Sequence, residues 1–293
     1  MCATCGCSEG AVIQVFSLDQ PGHQHHDHAD HDHAGHVGHD HADHDHAGHD
    51  HAGHDHVGHD PADHSGTPPA RRDGDRTVEL QQKVLAKNDR LAQLNRDWLR
   101  QRGVLAVNLM SSPGAGKTTL LERTARELAD QVEISVIEGD QAAALDATRI
   151  RAAGCRVVQI NTGTGCHLDA EMVAEGLRVL DPPRGSVVVI ENVGNLVCPA
   201  LFDLGEQARV VLASVTEGAD KPVKYPHMFR QADLVLVTKT DLLPYVDFDT
   251  ERHAADVRSL SPGAVLVPLS ATTGAGMPAW YDWLRRHAPA PVA

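Results

Sequence analysis

The first 70 residues of this 293-residue chain contain no lysine and no arginine. They carry twelve acidic residues, which leaves 28 acids against 26 bases in residues 71–293. Nearly the whole formal charge of −14 therefore sits at the N-terminal end, and the remainder is close to neutral. Neither part offers the basic stripe that tracks a phosphate backbone, so nucleic acid is excluded as a partner. Long hydrophobic runs are absent as well, and no stretch reaches membrane-spanning length. AVIQVFSL, at 11–18, is too short and too poorly flanked to be read as a signal peptide. Cysteines number only six: Cys2, Cys5, Cys7, Cys155, Cys166 and Cys198. Their clustering without a secretory signal suits reduced thiols in a cytoplasm, open to metal, better than disulfides. Beyond Val12, Ile13, Val15, Phe16 and Leu18, the first 70 residues also have very few large apolar side chains. Such a segment cannot offset the entropy of ordering itself, which predicts a disordered tail in the absence of metal.

What fills that tail is histidine. Seventeen of the chain's 21 histidines fall within it: His23, His25, His26, His28, His31, His33, His36, His39, His41, His44, His46, His49, His51, His54, His56, His59 and His64. Interleaved with Asp, Ala and Gly, they supply many weak imidazole sites, so the run is read as a buffer or store for a divalent metal. A solubilising spacer is the alternative. Ahead of it, Cys2-x-x-Cys5-Gly6-Cys7 places three thiols within six residues and has no second ligand pair nearby to close a structural zinc tetrahedron. Three thiolates with one nitrogen or oxygen suit the planar arrangement that nickel(II) accepts, and the amine of Cys2 becomes a fourth donor if Met1 is removed. Zinc competes for the same thiolates.

Residues 61–76 read as a linker rich in Pro, Gly and charge. Apolar positions at Val78, Leu80, Val84, Leu85, Leu91, Leu94, Trp98 and Leu99 then predict a long amphipathic helix over 77–101, stopped before Gly103. From Val104 onward seven β-branched runs (VLAVNLM, VEISVIE, CRVVQI, SVVVI, ARVVLAS, DLVLVT and AVLVPLS) alternate with helix-length segments. That alternation predicts a doubly wound α/β domain with a mainly parallel sheet and ligands beyond the carboxyl ends of its strands. The division predicted is a Cys-rich metal motif at 1–22, a His/Asp-rich tail at 23–66, linker and helix at 67–102, and a nucleotide-binding domain at 103–293.

The first of those strands runs into Ser111-Ser112-Pro113-Gly114-Ala115-Gly116-Lys117-Thr118-Thr119, a phosphate-binding loop with Ser111 in place of the usual first glycine. Gly114 and Gly116 let the backbone N–H groups of Ala115 and its neighbours turn toward phosphate oxygens at the start of a helix. Lys117 is expected to bridge the β- and γ-phosphates, Thr118 to offer its hydroxyl to Mg²⁺, and Thr119 to line the same loop. DLVLVT leads into Thr238-Lys239-Thr240-Asp241, where guanine-binding proteins carry N-K-x-D with Asn at the first position. A carboxylate at Asp241 accepts from both donors on the Watson–Crick edge of guanine, a pair that adenine lacks. Ser270-Ala271-Thr272 resembles the loop that touches the base from the last strand. Glu138-Gly139-Asp140 and Glu191-Asn192-Val193-Gly194 open from two further strand ends. Asp140 and Glu191 are candidates to position Mg²⁺ or water, and Gly194 to sense the γ-phosphate, against a plain solvated loop end in each case. Cys166, His167 and Cys198 leave the same sheet edge and can share a metal; the alternative is two small loop hydrophobes beside a polar histidine. Cys155 reads as core, and His227, His253 and His287 are isolated.

In order, VNLMSSPGAGKTTLLERT, EGDQAAALDATRIRAAG, TGTGCHLDAEMV, VIENVGNLVCPA, SVTEGADKPVKYPHMF and TKTDLLPYVDFD resemble the hydrogenase nickel-incorporation GTPases, the HypB family of SIMIBI-class P-loop GTPases. The resemblance implies a GTPase with slow intrinsic turnover that dimerises with nucleotide. It implies delivery of nickel to the large-subunit precursor of a [NiFe]-hydrogenase, together with a small zinc-containing chaperone of the HypA type. It also implies that CATCGC is a high-affinity nickel site and that Cys166, His167 and Cys198 form the domain metal site, for nickel or zinc. Two departures stand out: Thr238 in place of Asn, and Ala219 in EGADKP where an acid is frequent. A pure storage protein and a urease-serving GTPase are the competing readings. Intact Lys117, Thr118 and Asp241 argue against the first, and the cysteines argue against the second.

Overall fold

The computed structural model describes residues 14–17, 73–140, 145–163 and 165–289. Eight strands form one sheet in the order β1-β4-β3-β5-β2-β6-β7-β8. They are β1 (Gln14–Ser17), β2 (Leu105–Ser111), β3 (Ile134–Asp140), β4 (Arg156–Asn161), β5 (Val187–Glu191), β6 (Ala208–Ser214), β7 (Leu234–Thr238) and β8 (Val265–Pro268). The seven from β2 onward are parallel and coincide with the seven predicted apolar runs. Their β-branched residues stand on both faces, as a sheet covered by helices on each side requires.

Alternation along β2 shows the layering. Leu105, Val107 and Leu109 face a core built with α2 (Lys117–Leu128) and α4 (Met277–His287), in which Leu120, Leu121, Trp280 and Trp283 are buried. Cys155 lies in the same core, as expected from sequence. Ala106 faces Leu99 of α1 (Asp73–Arg102) and Met172, Val173 and Leu177 of α3 (Ala170–Leu180). Met110 faces a third cluster containing Met228, Phe229 and Val257. Helix α1 begins before the predicted 77 and ends one residue later than predicted. Gly103, at φ +61, terminates it, with the Val104 N–H returning to the Leu99 carbonyl at 2.9 Å.

One tail expectation is corrected. Gln14–Ser17 falls in the segment expected to be disordered, yet it forms strand β1, antiparallel to β4 with Gln14 opposite Asn161 and Ser17 opposite Val158. A four-residue strand owes its existence to a partner edge rather than to its own propensity, which single-sequence patterning does not register. The cysteines Cys2, Cys5 and Cys7 and all seventeen tail histidines lie outside the described residues.

Strand order reverses around β2, whose neighbours are β5 and β6. Ligands of doubly wound sheets bind at such a switch point, beyond the carboxyl ends. The loops after β2, β3, β4, β5 and β7 all open there.

Candidate functional site

Two clefts meet over the loop that follows β2. The larger, about 580 Å³, is lined among others by Lys117, Thr118, Glu138, Asp140, Glu191 and Gly194. Gly114 and Gly116 adopt φ of +74° and +100°, a left-handed backbone that favours glycine and turns the N–H groups inward at the start of α2. Lys117 is buried and its Nζ donates to Ser111 Oγ at 3.1 Å, so the serine that replaces the motif's first glycine holds the lysine in place. The Thr118 hydroxyl donates to Glu191 Oε1 at 2.9 Å.

Glu191 has a neighbour that sequence patterning did not select. Glu138 is its register partner on the adjacent strand β3, and both are buried. Burial is the main force on each, pushing Glu138 up to about 9, with the Glu191 charge adding to it, and Glu191 up to about 7 against the pull of Lys117. Glu138 Oε2 and Glu191 Oε2 have no hydrogen-bond partner. Buried carboxylate oxygens left over beside a threonine hydroxyl fit a small, hard, oxygen-seeking cation such as Mg²⁺. The adjacency of Glu138 and Glu191 depends on β5 inserting between β2 and β3, and no local motif encodes it.

The smaller cleft, about 260 Å³, lies between Ala115, Thr119 and Leu120 on one side and Lys239, Asp241, Ala271 and Thr272 on the other. Asp241 Oδ1 is buried there without a partner, as an acceptor reserved for a ligand donor would be. Thr238, standing where Asn is usual, is buried and donates its hydroxyl to the Ala115 carbonyl at 2.8 Å. Lys239 Nζ donates to the Gly114 carbonyl at 2.7 Å. The end of β7 is thus tied directly to the loop that follows β2. Ser270 is fully buried and accepts from the Thr273 N–H at 3.1 Å, which shapes the loop, whereas Ala271 lines the cleft. Arg123, also missed from sequence, donates to the carbonyls of Ala271 at 2.9 Å and Thr272 at 3.1 Å.

Beside the phosphate cleft, donor atoms of Cys166, His167 and Cys198 lie within 4.8 Å of one another. The two sulfurs are 2.9 Å apart and Cys166 Sγ is 3.6 Å from His167 Nδ1. His167 is buried against Phe202, with ring centroids 3.9 Å apart, and burial holds it below the usual imidazole range despite Asp169. A neutral imidazole is the form that ligates a metal. Two soft thiolates and an imidazole suit nickel or zinc. Cys166 also lines the phosphate cleft, so the two sites share a wall. His253 and His287 instead contact the backbone carbonyls of Ala219 and Trp283.

The wall continues as one loop. Asn192 Oδ1 accepts from the N–H groups of Val193 at 2.9 Å and Leu168 at 3.2 Å, the latter next to His167. Gly194 abuts the phosphate loop so closely that an added Cβ would stand 2.9 Å from Pro113 Cα. Asn195 donates to the Cys166 carbonyl at 3.3 Å. Residues 191–198 therefore touch the Thr118 hydroxyl at one end and the metal donors at the other.

Fold and clefts define a P-loop nucleotide-binding protein, with two cysteines and a histidine gathered beside the larger cleft. The model of the CobW/HypB/UreG nucleotide-binding domain matches residues 105–268. Hydrogenase maturation factor HypB of Rhizobium leguminosarum bv. viciae is 53% identical over 210 residues, 72% of this chain and 70% of that protein. The protein of the same name from Escherichia coli (strain K12) is 45% identical over 290 residues, 97% of this chain and 98% of the other. The chain belongs to the HypB family. Among solved structures, HypB from Archaeoglobus fulgidus matches with a TM-score of 0.65 and 43% identity, covering 69% of this chain and 98% of that one. HypB from Helicobacter pylori in complex with nickel gives 0.65 and 35%, covering 71% and 99%.

Proposed function

We propose that this chain is a GTP-hydrolysing nickel metallochaperone that binds and stores nickel and delivers it during maturation of a [NiFe]-hydrogenase large subunit. The observation that carries this reading is the single loop from Glu191 to Cys198, which contacts both the phosphate cleft and the metal donors. The relatives' shared name supports the hydrogenase client, and the nickel complex of the Helicobacter pylori protein supports the cargo.

In this reading Asp241 selects guanine, the loop of Gly114 to Thr119 and Lys117 hold the phosphates, and Thr118 with Glu191, Glu138 and Asp140 would hold Mg²⁺. Held by those residues, Mg²⁺ would supply charge neutralisation to the phosphate oxygens. Water attacks the γ-phosphorus in line, with Lys117 and backbone N–H groups of the loop stabilising the equatorial oxygens. Arg149 lines the cleft, but it is engaged by Glu122 at 2.8 Å and Asp146 at 3.2 Å. An arginine so engaged supports slow turnover, as in a timed switch.

Loss of the γ-phosphate frees Gly194 and Glu191, and with them the segment that carries Cys198. Val197 and Leu201, 54% and 48% exposed, flank Cys198, and three donors leave a coordination shell open. Exposed apolar residues around an incomplete site support a protein partner there, in a GTP-dependent homodimer or with a chaperone of the HypA type. The Cys2/Cys5/Cys7 cluster serves as nickel entry and the histidine run as store. Zinc competes at the domain site. No described helix is long and apolar enough to cross a membrane, and we place the activity in the cytoplasm.

The test is hydrolysis of GTP against ATP with nickel and zinc titrated in, alongside direct metal binding. Selective GTP turnover that responds to metal is the expected result. Equal turnover of ATP, or no nickel bound to the wild type, overturns the reading.

A further inference from the structure

Two asparagines stand on the buried face of helix α1. Asn88 and Asn95 share that face with Ala92 and Leu99, at the helical spacing i, i+4, i+7 and i+11, and all four are buried. A buried amide is kept where its hydrogen bonds are satisfied. Asn88 accepts from the Ala170 N–H at 2.9 Å and donates to the Asp203 carbonyl at 2.8 Å. Asn95 donates to the carbonyls of Ala170 at 2.8 Å and Leu204 at 3.0 Å. Each side chain therefore joins the same two stretches of backbone, the start of α3 and residues 203–204.

Those stretches lead to the metal donors. Ala170 follows His167 by three residues, and Asp203 follows Cys198 by five. His167 and Phe202, one from each stretch, pack ring against ring with centroids 3.9 Å apart. The second stretch lies directly on the helix: a Cβ added at Gly205 would stand 2.5 Å from the Ala92 carbonyl oxygen and 2.6 Å from Asn95 Cβ. Arg96 Nη2 closes the same contact, donating to both Asp203 carboxylate oxygens at 2.7 Å. We infer that Asn88, backed by Asn95, is a positioning residue for the metal site: from α1 it fixes the separation between the segment bearing Cys166 and His167 and the segment bearing Cys198. The inference rests on the proposed metal binding by those three donors.

Capping of α3 does not account for the pair. The Ala170 N–H lies in the first turn, where no carbonyl of the helix reaches it, and an acceptor alone would satisfy it. The bonds to residues 203 and 204 come from the donor side of each amide and do nothing for α3. Their effect is to lock one donor-bearing segment against the other. Cys166 and Cys198 belong to loops that follow different strands, so no local turn sets the distance between them. A donor set loosened by about 1 Å no longer presents a preorganised site. Groups that orient ligands are worth about ten- to a hundredfold in metal affinity, and Asn88, acting through backbone, falls at the lower end. Among the described residues, none from α1 lines either cleft over the loop that follows β2.

The test is alkylation of the full-length protein, resolved cysteine by cysteine by mass spectrometry, at free nickel(II) set with a nitrilotriacetate buffer. Buffering keeps the histidine run from depleting the ion, and reading Cys166 and Cys198 separately isolates the domain site. Asn88→Ala and Asn95→Ala should each raise the free nickel that half-protects Cys166 and Cys198 about tenfold, with metal-free GTP affinity unchanged within about twofold. Leu99→Ala removes packing from the same face of α1 and no bond to either stretch. It should lower the melting temperature and leave half-protection at the wild-type nickel concentration. Asn95→Ala, which leaves the Ala170 N–H bonded to Asn88, carries the test if Asn88→Ala does not fold. Unchanged half-protection in the asparagine variants, or an equal shift in Leu99→Ala, overturns the positioning role while the metal site stands. If nickel protects neither cysteine in the wild type, the metal reading itself falls and the inference falls with it.

Discussion

Glu138 and Glu191 are register partners on adjacent parallel strands, both buried, each with one carboxylate oxygen left without a hydrogen-bond partner. Burial raises both, the Glu191 charge raises Glu138 further, and Lys117 pulls each the other way. The folded state therefore retains protons that the unfolded chain has released. Its stability is greatest below the ordinary glutamate range and falls as pH rises toward about 7 for Glu191 and about 9 for Glu138. Thermal denaturation of the nucleotide-free protein between pH 6 and 8.5 should show a melting temperature that declines with pH. Glu138→Gln should flatten that decline while weakening Mg²⁺-dependent GTP binding. Parallel pH curves for variant and wild type would argue against the pair as the source.

In the proposed function, base selection rests on Asp241. Asp241→Asn exchanges an acceptor for a donor opposite the guanine amine and should weaken GTP binding more than about tenfold, the scale of a lost specific hydrogen-bond pair. Equilibrium binding of GTP and ATP measures it. Undiminished guanine preference in the variant would place the base elsewhere.

Asn192 joins the phosphate and metal loops through its bonds to Val193 and Leu168, and donates to Asn108 Oδ1 at 3.3 Å. Asn192→Ala should leave both ligands bound but reduce the difference in nickel affinity between the GDP form and a form with a non-hydrolysable GTP analogue. By linkage the effect of nickel on nucleotide affinity should shrink by the same factor. Cys198→Ala should abolish that effect outright. Calorimetric titration in both nucleotide states is decisive, and equal nickel affinities in wild type would make the metal site a passive cluster.

Removal of residues 23–64 should reduce bound nickel to a few ions per chain and leave GTP hydrolysis near the wild-type rate. The full-length protein should release its weakly held metal as pH falls through about 6.5, since protonated imidazole cannot ligate. Equilibrium dialysis at pH 7.5 and pH 5.5 tests both, and an unchanged stoichiometry in the deletion removes the storage role.

Legibility in the sequence followed the range of the interaction. The seven parallel strands were visible because residues buried on both faces must be apolar throughout, and runs such as SVVVI carry that requirement locally. Lys117, Thr118 and Asp241, which line the two clefts, could be picked out as candidates because the motifs that carry them are short and contiguous. Glu138 was named only as part of a loop. Its importance comes from Glu191, more than fifty residues away and made a neighbour by the order of the sheet. Thr238 read as a departure from N-K-x-D, yet its hydroxyl grips the Ala115 carbonyl, a contact that only the folded loop displays. Strand β1 escaped notice because its partner edge, not its own four residues, makes it a strand.

Main-chain pairing of β1 with β4 has an evolutionary consequence for the histidine-rich run. Fifty-five residues lie between Ser17 and Asp73, and both of these residues belong to elements of the fold. Doubling the length of a connection between two such ends adds only about 0.6 kcal/mol of closure entropy. Histidine repeats can therefore be gained or lost by slippage with little effect on folding. The number of imidazoles and the fold that follows them can drift under separate selection within a single gene.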